Sequence, residues 1–186
     1  MSNIETIQAK AKNISLLVCD VDGVFTDGSI YVGTTGEFKR FSVRDGMGVA
    51  LARLTPLRIA LLSGRTSEAT TIRARELELE DSVYQGYLNK IVALKEILER
   101  FEVSAEETAY IGDDYVDIPV MKSVGLSFAV PNARSQVRAI ADYTLDTPGG
   151  EGAVTESVEL ILEARGELEN ALAEMERDIY MVDETL

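Results

Sequence analysis

The stretch Ile14-Ser-Leu-Leu-Val-Cys19-Asp20-Val-Asp22-Gly23-Val-Phe-Thr26-Asp27-Gly28 decides the fold. An uncharged, mostly apolar run stops abruptly at an acid, a second acid follows two positions later, and a glycine comes next. A short apolar run bounded by turn residues reads as a strand buried on both faces. Acids at i and i+2 can point the same way as the chain leaves the sheet, and Gly23 permits a tight turn after them.

Three further runs repeat the pattern. Leu57–Leu62 stops at Ser63-Gly64-Arg65, Thr108–Ile111 stops at Gly112-Asp113-Asp114, and Leu126–Val130 is closed by Pro131-Asn132. Helical spacing fills the intervals: Val49, Leu51 and Leu54; Ile72, Leu77 and Leu79; Ile91, Leu94, Leu98 and Phe101. Strands alternating with helices predict an α/β fold, a parallel sheet flanked by helices on both faces. One passage breaks the rhythm. Ser29–Val32 and Glu37–Val43 flank Gly33-Thr-Thr-Gly36, which reads as a β-hairpin inserted after the first strand. Repeats and interdomain linkers are absent from the sequence, so residues 1–186 read as a single domain with a C-terminal helical extension from about 156. In that extension Leu168, Leu172, Met175, Ile179, Val182 and Leu186 form a coiled-coil-like seam after Gly166.

Composition narrows the function. The 186 residues carry 18 basic and 32 acidic side chains, a net charge of −14. That excess argues against nucleic acid or an anionic membrane as partner. No uncharged apolar stretch is long enough to span a bilayer. Met1–Lys12 is polar and mixed in charge, unlike a secretory leader, so the expected location is cytoplasmic. There is no histidine and one cysteine, Cys19. This removes Ser-His-Asp triads, His-ligated zinc and internal disulfides. Acid–base chemistry falls to carboxylates, Lys, Tyr or Cys, and a metal would be a hard cation held by oxygen.

The chemistry lies where the strands stop, because open α/β sheets bind ligands beyond their carboxyl ends. Asp20, Asp22, Ser63 and Asp113 are delivered there. Carboxylates from two loops make a cage for Mg²⁺, which takes few carboxylates plus water and phosphate oxygens. A carboxylate nucleophile beside a second acid suits an aspartyl-phosphate intermediate. The second acid protonates the leaving oxygen and then activates water. Ser63 can donate to a phosphoryl oxygen, and Lys90, opening a helix, can neutralise nucleophile and phosphate together.

These residues carry a resemblance. Asp20-Val-Asp22-Gly-Val-Phe-Thr26, Ser63-Gly64, Lys90 and Gly112-Asp113-Asp114-Tyr-Val-Asp117 resemble, in order, the four motifs of the haloacid dehalogenase superfamily. More narrowly, the DVDGVFTDG loop, IYVGTTGEFKRFSVRDGMG, SGR, VYQGYLNK, AYIGDDYVDIPVM and GGEGAV are similar to the 3-deoxy-D-manno-octulosonate 8-phosphate phosphatase family, from about Ile14 to Gly166. The resemblance implies a Rossmann-like fold and a Mg²⁺-dependent phosphatase in lipopolysaccharide sugar synthesis. It makes Asp20 the nucleophile and a metal ligand. Asp22 becomes the general acid/base and a ligand through its carbonyl, and Asp113 the third ligand. Asp117 becomes a supporting residue for Lys90 or a metal-bound water. Substrate contacts map onto Arg44, Asp45, Gly46, Arg65 and Arg73, with guanidinium groups suited to a sugar acid's carboxylate. Only 42 residues separate Asp20 from Ser63 and 26 separate Ser63 from Lys90, so no cap domain fits. Family members cover such an open site by forming homotetramers through their hairpins. The chain departs from the family at Glu151 and Thr155, where arginines are usual, and at Ala50. These changes leave two alternatives standing: a nonulosonate 9-phosphate phosphatase, and a catalytically idle oligomeric binding module.

Overall fold

The computed structural model describes residues 3–34 and 36–183, with side chains described between 5 and 177. Chain order runs α1 (Asn3–Ala11), β1 (Leu16–Asp20), a wide turn at Val21–Phe25, then the hairpin of β2 (Thr26–Gly33) and β3 (Gly36–Phe41). Next come α2 (Val43–Arg53), β4 (Arg58–Ser63), α3 (Glu68–Glu76), β5 (Val83–Gln85), α4 (Lys90–Phe101), β6 (Thr108–Gly112) and α5 (Ile118–Met121). β7 (Leu126–Ala129), α6 (Ser135–Arg138), β8 (Tyr143–Thr144), α7 (Ala153–Arg165) and α8 (Leu168–Asp183) complete it.

The main sheet is parallel, in the order β5-β4-β1-β6-β7-β8. Every residue of β1, β6 and β7 is buried, which is why these strands read as unbroken apolar runs. The four expected strands stand within two residues of their sequence positions. The edge strands β5 and β8 escaped notice because three and two residues carry no readable period. From β1 the chain steps one way to β4 and β5, then returns past β1 to β6, β7 and β8. Right-handed crossovers therefore put α2 and α3 on one face and α4 and α5 on the other. Both α1 and α2 pack on α7, while α4 packs against α5.

This reversal centres the crevice on β1. Register then lines up the strand ends. Asp20 stands opposite Leu62, one residue before Ser63, and Cys19 stands opposite Ile111, two before Asp113. Among the described residues the interval between β1 and β4 holds the wide turn, the hairpin and α2, and no cap.

The hairpin is two-faced. Along β3 Glu37, Lys39 and Phe41 are half-buried, while Gly36, Phe38 and Arg40 are exposed. Phe41 meets Phe25 edge-on at 6.3 Å, tying the hairpin to the turn after β1. Outward, Tyr31, Val32 and Phe38 are exposed. At the C-terminus Gly166 (φ 70°) caps α7 and separates it from α8. Leu168 and Met175 pack on the chain's own core and Ala171 is buried, while Leu172 is exposed. The seam's remaining side chains, Ile179, Val182 and Leu186, lie outside the described residues.

Candidate active site

At the end of β1 the Asp20 carboxylate is buried. Its Oδ1 accepts a hydrogen bond from Lys90 Nζ at 2.6 Å, and the same ammonium reaches Asp117 Oδ1 at 2.7 Å. Tyr110 donates its hydroxyl to Asp117 Oδ1 at 2.6 Å. Asp117 Oδ2 accepts the backbone N–H groups of Asp113 and Asp114, both at 3.0 Å. Both oxygens of Asp117 are thus occupied, one of them by the Lys90 ammonium. Lys90 opens α4, where a cation opposes the helix dipole. The carboxylates offset that cost, so the lysine is placed for them and not for the helix.

The charges of this cluster do not balance. One ammonium faces the carboxylates of Asp20, Asp113 and Asp117, whose oxygens lie within 4.8 Å of one another. Burial works against the Lys90 ammonium, but Asp20 and Asp117 outweigh it and leave its pKa raised. Burial, with Asp117 beside it, pushes the Asp113 carboxyl up to about 6. Asp113 Oδ1 is buried without a hydrogen-bond partner. A surplus of two negative charges and an unpartnered carboxylate oxygen fit a divalent cation of the Mg²⁺ type. Gly23 (φ 103°) makes room for it: a Cβ there would stand 2.2 Å from Asp113 Oδ2.

Asp22 stands apart from this cluster. Its Oδ2 is 3.4 Å from Ser63 Oγ, and its Oδ1 is 2.7 Å from Lys39 Nζ. Ser63 Oγ also accepts the Arg65 N–H at 3.1 Å. The Arg65 guanidinium pairs with Glu37 at 2.9 Å. Asp20, Asp22, Arg65, Lys90 and Asp113 line one pocket of about 220 Å³, with exposed Leu88 and Val116 at its rim.

The other expected substrate contacts gather elsewhere. Asp45 is fully buried and accepts the Val154 N–H at 2.9 Å, so it holds the start of α7 against α2. Arg73 donates to the Ser42 carbonyl at 3.3 Å and pairs with Glu76 at 3.0 Å. A Cβ on Gly46 would meet the Arg73 guanidinium at 2.9 Å. Arg44 lines a separate groove of about 550 Å³, together with Glu151, Thr155 and Met47. Thr155 donates its hydroxyl to the Arg44 carbonyl at 2.5 Å and accepts the Gly48 N–H at 2.9 Å. Where the family pattern leads one to expect an arginine, this chain has a clasp between α2 and α7. The glycines before it press on the catalytic turn: a Cβ on Gly149 would lie 1.8 Å from the Gly23 carbonyl oxygen, and Gly150 N–H donates to the Val24 carbonyl at 2.8 Å.

Sequence reasoning passed over three residues around the site: Tyr110, hidden in an apolar run, and Glu37 and Lys39, in a hairpin read only as an insertion after the first strand. The signal for the last two was the alternation of β3, which sends residues 37, 39 and 41 inward.

Known proteins are similar to this chain in sequence and fold. The profile of the haloacid dehalogenase-like hydrolases matches residues 59–156. The 3-deoxy-D-manno-octulosonate 8-phosphate phosphatase of Escherichia coli strain K12 is 44% identical over 164 residues, covering 88% of this chain and 87% of the relative. The chain belongs to that phosphatase family of the haloacid dehalogenase superfamily. Family membership agrees with the fold and the acid cluster: this is an enzyme of the phosphatase type, not an idle binding module. Two solved structures of such phosphatases superpose closely. The enzyme from Yersinia pestis has a TM-score of 0.86 at 43% identity, covering 89% of each chain. The enzyme from Moraxella catarrhalis, in complex with a magnesium ion, a phosphate ion and a KDO molecule, has a TM-score of 0.86 at 36% identity, covering 91% of this chain and 97% of its own.

Proposed function

We propose that the protein hydrolyses 3-deoxy-D-manno-octulosonate 8-phosphate to the free sugar acid and phosphate through an aspartyl-phosphate on Asp20. The observation that carries the chemistry is the pocket itself. A buried carboxylate, Asp20, is held by Lys90, and a second carboxylate, Asp22, stands free of that lysine. In the first step an Asp20 oxygen attacks phosphorus. The bond from phosphorus to the sugar oxygen breaks, and that oxygen takes its electron pair and a proton from Asp22. In the second step water attacks phosphorus and gives its proton to Asp22, and the electron pair of the breaking bond returns to Asp20. Lys90 keeps the nucleophile oriented and offsets charge on the transferring group, with Asp117 and Tyr110 fixing the lysine. Ser63 donates to a phosphoryl oxygen. Magnesium held by Asp20, Asp113 and the Asp22 carbonyl would supply charge neutralisation between the incoming phosphate and the acids.

The substrate rests on the relatives' names and on Arg65, whose guanidinium at the pocket suits the sugar acid's carboxylate. Arg44 is kept as a second contact because it reaches an open groove. Asp45, Gly46 and Arg73 are assigned instead to the junction of α2, α3 and α7. Glu151 and Thr155, the departures that opened the nonulosonate alternative, lie outside the pocket of Asp20 and bear on the substrate only through the groove they share with Arg44. The test is phosphate release from a panel of sugar phosphates containing both acids, with Mg²⁺ and with a chelator. Chelator-sensitive turnover of the octulosonate ester above all others is expected. Preference for the nonulosonate ester would move the substrate, and silence across the panel would refute the reading.

We also infer a single-domain protomer, supported by its one continuous core, and a homotetramer built through the hairpins. The exposed Tyr31, Val32 and Phe38 support the assembly, as does a pocket with no cap. Phe38→Asp should lower the mass seen by light scattering, and an unchanged mass would speak against it. No helix among the described residues is long and apolar enough to cross a membrane. The cytoplasm is the proposed location, supported by the free, buried thiol of Cys19.

A further inference from the structure

The hairpin sends a cation into the active site. Lys39 sits on β3, and its side chain is wholly buried, 0% exposed. Its Nζ stands 2.7 Å from Asp22 Oδ1 and 3.3 Å from Thr70 Oγ1. An ammonium taken out of water carries a desolvation penalty that only a well-placed partner offsets. A methionine-like side chain would fill the same space without it, so the charge is there for Asp22.

Asp22 in turn has little else to fix it. It lies in the wide turn after β1 with φ −84° and ψ 102°, next to Gly23 at φ 103°, outside regular secondary structure. Its second oxygen makes only the 3.4 Å contact to Ser63 Oγ, beyond the usual O–H···O range. Its side chain is 21% exposed. Lys39 supplies its one short contact, an ion pair at an oxygen that has no hydrogen-bond partner. Lys39 itself does not line the pocket, so it acts through Asp22 and not on the substrate.

We propose that Lys39 is the positioning residue for Asp22, and that the inward face of β3 forms the back wall of the active site within one protomer. This rests on the reading of Asp22 as proton donor and acceptor. The neighbours on that face support it: Glu37 holds Arg65 and Phe41 packs on Phe25. The register of the hairpin thereby becomes a catalytic quantity, because a slip of one residue would turn Lys39 to the outer face.

The test is a cycle on the sugar-acid phosphate, with kcat and KM measured for wild type, Lys39→Met, Asp22→Asn and the double variant. Lys39→Met should lower kcat about tenfold or more, as loss of an oriented proton-transfer group does, with KM within about twofold. In the Asp22→Asn background the same change should move the residual kcat less than about twofold, because the group it positions is already gone. Lys39→Arg, which keeps the charge, should recover part of the loss, and Lys39→Gln replaces the methionine variant in the cycle should that variant not fold. Equal fold-losses in both backgrounds, or a wild-type kcat in Lys39→Met, would overturn the proposal while leaving the phosphatase reading intact. A wild-type rate in Asp22→Asn would overturn the role of Asp22 and this proposal with it.

Discussion

Two buried carboxylates, Asp20 and Asp45, look alike in the sequence, each beside a glycine-containing turn or helix start, yet they are built for different ends. Asp20 meets an ammonium, two other carboxylates and an open pocket. Asp45 meets the backbone of a helix N-terminus, with the Val154 N–H at 2.9 Å. Burial pushes both carboxyls up, Asp45 to about 6 against the pull of backbone donors at Val154, Gly152 and Thr155. The difference lies in what answers the charge. Around Asp45 backbone donors at a helix junction, helped by the Arg73 guanidinium, answer a single charge. Around Asp20 ionic groups leave a surplus of negative charge that only a cation relieves.

Perturbing each centre should therefore give opposite results. The largest effect is expected at Lys90. Lys90→Met leaves Asp20 and Asp117 buried without their cation. It should cost about 3–5 kcal/mol in urea unfolding and about a thousandfold or more in kcat. A loss of activity without loss of stability would mean that the ammonium is not structurally coupled to the acids.

Asp45→Asn should do far less, and its effect should depend on pH. A carboxyl whose pKa is raised by folding binds more protons folded than unfolded between its two pKa values. Stability therefore falls as pH rises from about 4 to 6. The asparagine keeps an acceptor for Val154 and removes that slope. Its melting temperature, followed from pH 4 to 8, should fall less over this window than that of wild type, and the two should differ most above pH 6. A parallel pair of curves would contradict the assignment of Asp45 as a buried structural acid.

The smallest effect is expected at the clasp. Thr155→Val loses the bonds to Arg44 and Gly48. It should cost about 1–3 kcal/mol, most of it from leaving backbone groups unpartnered. Loss of substrate affinity out of proportion to that would place Thr155 in the binding site.

The comparison also marks what the sequence can say. The pocket residues at strand ends were legible because strand ends are legible: an apolar run that stops at Asp20, Ser63 or Asp113 fixes the edge at which each must emerge, and the parallel sheet brings those edges together. Lys90 was legible from its place at a helix start. Arg44, Asp45 and Gly46 sit on α2, whose packing is set by contacts with α7, more than a hundred residues away in the chain, and Arg73 on α3 reaches back 31 residues to Ser42. No local pattern carries that information. The same holds for Tyr110, whose hydroxyl finds Asp117 across a turn, and for Lys39, whose meaning appears only when β3 folds back on the turn after β1. The two-residue strand β8 was too short to signal itself at all.

The central claim is that Asp20 becomes covalently phosphorylated. The direct measurement is to quench the enzyme during turnover of the sugar-acid phosphate with Mg²⁺, reduce it with borohydride and map its peptides by mass. An acyl phosphate on Asp20 is reduced to homoserine, so the account predicts homoserine at position 20, absent without substrate and absent in Asp20→Asn. Steady turnover with Asp20 unmodified in every quenched sample, or undiminished turnover in Asp20→Asn, would contradict it.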